Sequence, residues 1–129
     1  MLKSLVNDEL FLFLIRNGNL SETQLDTLLS YFATKQEGGN LVSMVEKRDR
    51  GRVTKGSFLR SLDQARYNIR SSLLSLLLLG YLGLVTEENM QSFVRIVVML
   101  TKLRKSGGLI EFDKVKVLIE ATCDRLLYV

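Results

Sequence analysis

The sequence predicts an all-α fold, a compact bundle of about six helices, and three observations predict it. Apolar residues recur at steps of three and four. Glycine-bearing breaks cut the chain into helix-length pieces, and Ser21, Asn40, Thr54 and Thr86 stand at the heads of four of them. With 129 residues, 47% of them hydrophobic and 25% charged, a single domain over residues 1–129 is expected, long enough to close one sizeable core.

The first helix is expected from about Ser4 to Arg16, with Leu5, Val6, Leu10 and Leu14 on one side and Asn17-Gly18 as its stop. Ser21 with Gln24 three residues on is a capping box, opening a helix whose buried face is expected at Leu25, Leu28, Leu29 and Phe32. Gly38-Gly39 ends it. Asn40 caps a short third helix, Leu41 to about Arg48, burying Leu41, Met44 and Val45. Asp49 to Val53 reads as a turn.

Thr54 then caps the longest helix. Its stripe Phe58, Leu62, Ala65, Ile69, Leu73 and Leu76 follows the helical period. Residues 73–85 are strongly apolar and read as buried helix, too short for a bilayer span. Thr86 caps a fifth helix, with Glu87 and Glu88 at its positive end and Lys102, Arg104 and Lys105 at its negative end. The β-branched run Val94 to Val98 would suit a strand, but length and end charges favour helix. After Gly107-Gly108 a last helix runs from about Asp113 to Leu127, with Phe112, Val115, Ile119, Cys123 and Leu126 facing inward.

Composition narrows the chemistry. Histidine is absent, removing the commonest general base and the commonest metal ligand. The one cysteine, Cys123, leaves no internal disulfide and no cysteine-based zinc site, and it reads as an inert core thiol in a soluble protein of the cytoplasm. The start of the chain carries Asp8 and Glu9 before its apolar run and reads as mature helix rather than signal peptide. Asp8-Glu9 and Glu87-Glu88 suit first turns of helices, and Lys55-Gly56-Ser57 lacks the rest of a phosphate loop. No enzyme, no cofactor and no metal are expected.

The net charge of +4 is concentrated. Residues 47–70 hold Lys47, Arg48, Arg50, Arg52, Lys55, Arg60, Arg66 and Arg70 against Asp49 and Asp63, while the remainder is slightly acidic. A phosphate backbone attracts such a window by releasing condensed counterions. At 100° per residue Gly56, Arg60 and Tyr67 fall opposite the apolar stripe, flanked by Ser57, Asp63, Gln64 and Ser71. Arg pairs bidentately with guanine and Gln with adenine in a major groove, so Arg60 and Gln64, one turn apart, are candidates for base reading. Tyr67 joins them. Lys47, Arg48, Arg50 and Arg52 are candidates for phosphate contact.

Residues 20–70 resemble the helix-turn-helix DNA-binding module, in particular that of sigma-factor region 4 and related bacterial and archaeal regulators. The likeness is carried by Leu20-Ser21-Glu22-Thr23-Gln24-Leu25, by Leu41, Met44 and Val45, by Gly51, and by Val53 to Arg60 with Gln64 to Arg70. It implies a unit over about residues 20–72, with Thr54, Lys55 and Ser57 touching phosphates and Arg60, Ser61 and Gln64 facing bases. One departure stands out: Glu46 to Arg52 is longer and more basic than the module's usual tight turn. Either the second helix is extended or the loop reaches DNA as a basic arm.

The expected function is therefore duplex DNA binding by a transcriptional regulator, with residues 86–129 completing the core or building a homodimer. The alternative is a helical interaction or assembly module that docks through residues 73–85, where the leucines exceed what one helix face can bury. RNA ranks below duplex DNA, because Tyr67 is the only aromatic on the charged side of the long helix.

Overall fold

The computed structural model describes residues 2–5, 7–49, 51, 53–106 and 111–127, so the expectations for Val6, Arg50, Arg52 and Gly107-Gly108 fall outside the described residues. The fold is all-α. A short 3-10 turn, Leu2–Leu5, precedes six α-helices: α1 (Glu9–Asn17), α2 (Glu22–Glu37), α3 (Leu41–Glu46), α4 (Lys55–Tyr81), α5 (Glu87–Ser106) and α6 (Phe112–Leu127). No strand occurs among the described residues, and Phe93 to Leu100 is helix. The chain divides into two compact units, Met1–Leu73 and Leu74–Val129, the division falling inside α4.

The helix ends follow from their caps. α1 starts later than the apolar pattern implies, because Asp8 takes the N-cap position and its carboxylate accepts from Phe11 N–H at 3.0 Å. At α2 the capping box is complete: Ser21 Oγ accepts from Gln24 N–H at 3.1 Å, and Gln24 Oε1 accepts from Ser21 N–H at 3.0 Å. Gly38 closes α2 in the left-handed conformation, φ 74°. Asn40, Thr54 and Thr86 each accept the backbone N–H three residues on, opening α3, α4 and α5.

In the first unit Leu28, Met44, Val45, Phe58, Leu62 and Ala65 form the core, with Leu20, Tyr31, Leu41 and Val53 packed against it. Phe58 is 0% exposed. The buried side of α2 differs from the expected one. Asp26, Thr27, Ser30 and Thr34 are buried beside Leu28, whereas Phe32 is exposed. Small polar side chains let neighbouring elements approach closely, and the hydroxyls of Thr27 and Ser30 donate to the carbonyls of Thr23 and Asp26.

In the second unit α5 and α6 pack together, with Ile96, Ile119, Thr122 and Leu126 buried. Asn89 Nδ2 donates to the Arg125 carbonyl at 3.1 Å, joining the head of α5 to the end of α6. Cys123, expected to face inward, is exposed, and Thr122 takes the buried place. The leucines of residues 73–85 are a second correction. Leu73, Leu74, Leu77, Leu78, Leu82 and Leu84 are exposed rather than buried, so the inward stripe of α4 ends in effect at Ala65, with Ile69 at the surface as well.

Candidate functional site

The basic window spans the end of α3, the turn after it and the first four turns of α4. Two features hold it in place. Phe58, Leu62 and Ala65 anchor the inner side of α4 among α2 and α3 residues. Farther along, Asn68 Nδ2 donates to the Asn19 carbonyl at 2.9 Å and to Gln24 Oε1 at 3.3 Å, while Asn19 Nδ2 donates to Ser72 Oγ at 3.1 Å. The capping box of α2 and the middle of α4 are thus parts of one hydrogen-bonded cluster.

The outer side of this stretch of α4 carries Arg60, Asp63, Gln64, Tyr67 and Arg70, and Lys55 and Arg66 lie nearer the sides that meet α3 and α2; all seven are exposed. Tyr67 is 71% exposed. Arg60 and Gln64, one turn apart, are brought to this face together. Asp63 interrupts it with a carboxylate. Arg66 lies over the Tyr31 ring, 4.8 Å from its centroid, so its guanidinium plane is held against α2 by a cation–π contact. That aromatic rest for Arg66 was missed in the sequence, where Tyr31 carried no signal apart from its place on α2.

Other predicted residues are placed differently. Arg48 is 8% exposed, and its Nε lies 3.5 Å from Asp26 Oδ2. It is therefore withdrawn from the surface and from the set of phosphate-contact candidates; its charge answers Asp26, whose other oxygen accepts from Asp49 N–H at 3.0 Å. Lys47 makes a salt bridge with Glu37 at the surface. Thr54 serves as the N-cap of α4, its Oγ1 accepting from Ser57 N–H at 3.1 Å. Ser57 and Ser61 are half-buried. A surface depression lined by Val42, Val45, Val53, Thr54 and Lys55 lies where α3 meets the head of α4.

Cys123 is exposed as a residue, yet the partial desolvation of its thiol pushes it up from its ordinary value, and the Asp124 carboxylate adds to the effect. No group of three or more acidic or cysteine side chains able to hold a metal ion occurs among the described residues. No described helix is long and apolar enough to cross a membrane. No protein-family model, no curated protein and no solved structure matches the chain.

Proposed function

We propose that the chain binds duplex DNA through the outer face of the first half of α4, with α3, the turn and α4 acting as a helix-turn-helix unit of a transcriptional regulator. One observation supports this above the others. A helix clamped on its inner side by Phe58, Leu62 and Ala65 presents Arg60, Gln64, Tyr67 and Arg70 together on its solvent side, with Lys55 and Arg66 exposed at its margins. An α-helix fits the major groove, and Arg and Gln are the side chains whose forked donors and acceptors match guanine and adenine edges. Lys55, Arg66 and Arg70 are suited to phosphates, and Asp63 to the amino group of cytosine. Helix-turn-helix regulators often bind as dimers across two half-sites, and the proposal includes a homodimer in the cytoplasm.

The test is binding of random duplex DNA titrated with salt, followed by selection of preferred sequences. Each phosphate contact contributes about −0.9 to the slope of log affinity against log salt, so the three cations of α4 suited to phosphates alone bring it to roughly −2.7. Arg60→Ala is expected to relax preference at one base position by about 1–3 kcal/mol. Arg50→Ala with Arg52→Ala is expected to weaken all duplexes alike if the turn is a basic arm. Affinity independent of salt, or no duplex binding at low salt, would overturn the proposal.

A further inference from the structure

The exposed positions of α4 change chemistry along the helix. Arg60, Asp63, Tyr67 and Arg70, and then Leu74, Leu77 and Tyr81, follow one another at alternating steps of three and four, and all are exposed. That seven-residue repeat is the spacing with which two helices meet along a seam. Its first half is charged at three of four positions, Tyr67 being the fourth, and its second half is apolar. Leu73, Leu78 and Leu82 widen the apolar half; Leu77 is 68% exposed and Tyr81 88%.

We propose that the C-terminal half of α4 is a self-association face, pairing antiparallel with the same segment of a second copy and crossing near Leu77 and Leu78. In this register Leu74 of one copy lies against Tyr81 of the other, and Leu77 against Leu78.

Three observations select this occupant. The first is area. Five exposed leucines and a tyrosine leave on the order of 500 Å² of apolar surface on each copy. That is at the upper end of what monomers leave bare and more than half of the about 800 Å² per partner of a standard interface. The second is charge. Residues 71–86 contain no charged side chain, so the face offers nothing for an acidic or basic partner to complement, whereas its own copy supplies an equally apolar surface. The third is orientation. Parallel pairing along the seam would set Arg60, Asp63 and Arg70 each against its own copy, which like charges oppose. Antiparallel pairing on the apolar half leaves Arg60, Asp63 and Arg70 out of the seam.

The association needs no DNA, so its failure and the failure of DNA binding are separate results. Sedimentation velocity of the full chain at micromolar concentration, without nucleic acid, is expected to show a dimer insensitive to salt. Leu74→Glu with Leu78→Glu is expected to sediment as a monomer with unchanged helical circular dichroism, because both side chains are exposed in the single chain.

Orientation is read by cross-linking in a Cys123→Ser background. A mixture of Leu74→Cys and Tyr81→Cys chains is expected to form a mixed disulfide dimer. Leu74→Cys alone is expected to stay uncross-linked, since two copies of residue 74 would be about 10 Å apart along the helix axis, beyond disulfide reach. A monomer throughout the micromolar range, a dimer that survives the double glutamate change, or efficient cross-linking of Leu74→Cys with itself would each overturn the proposal. So would a monomer that binds lipid vesicles through this face.

Discussion

Asp26 and Arg48 are nearly closed off from solvent, yet each carries a formal charge. Taking such ions out of water costs several kcal/mol each, and the cost is offset only while the pair and its hydrogen bonds stay intact. Asp26 has a further partner in the Asp49 N–H, so a single carboxylate fixes both the side chain and the backbone of the turn that follows α3. Asp26→Ala is expected to lower stability by about 3–5 kcal/mol, since Arg48 would be left buried alone. Arg48→Met combined with Asp26→Leu should cost less than either single change, and denaturant unfolding of the three variants measures the coupling. Such losses belong to folding, whereas the losses expected for Arg60→Ala belong to recognition. The two arginines look alike in the sequence and differ in the structure because an acid on α2, two dozen residues away, is the partner of only one of them.

At the scale of elements, the junction between α2 and α3 shows two glycines needed for different reasons. Gly38 adopts φ 74°, which a side chain disfavours. Gly39 has ordinary backbone, but a Cβ there would lie 2.7 Å from Thr34 Cγ2 and 3.3 Å from Ser43 Cβ. Gly39→Ala is therefore expected to push α3 away from α2 and to lower stability by about 1–3 kcal/mol, read from the shift of the unfolding midpoint.

Caps and helix identity were legible in the sequence: Ser21, Asn40, Thr54 and Thr86 mark helix starts in a few residues, and local hydrogen bonds decide them. Helix faces were less legible. The apolar period of α2 selects Phe32, but the buried side holds Thr27, Ser30 and Thr34, which follow the same period with small polar residues. On α6 a shift of one position exchanges Cys123 for Thr122. In α4 the apolar stripe outlasts the core that it serves, since the sequence records where leucines are and not where a partner element stops.

The whole molecule is two compact units whose division falls within one continuous helix. Each has its own buried set, which gives local stability a place to differ. Ile119→Ala is expected to cost about 2–5 kcal/mol and to lower amide exchange protection in α5 and α6 while leaving α2 and α3 protected. Uniform loss of protection throughout the chain would show the units to be energetically inseparable. The candidate site was legible as far as the first unit decides it: the exposed Arg60, Gln64 and Tyr67 follow from helix period alone, whereas the withdrawal of Arg48 depends on a distant contact. That contact also constrains heredity. Neither Asp26 nor Arg48 can drift by itself without stranding an ion in the interior, so descendants of this sequence retain both or exchange both for greasy substitutes, and variation at one position foretells variation at the other.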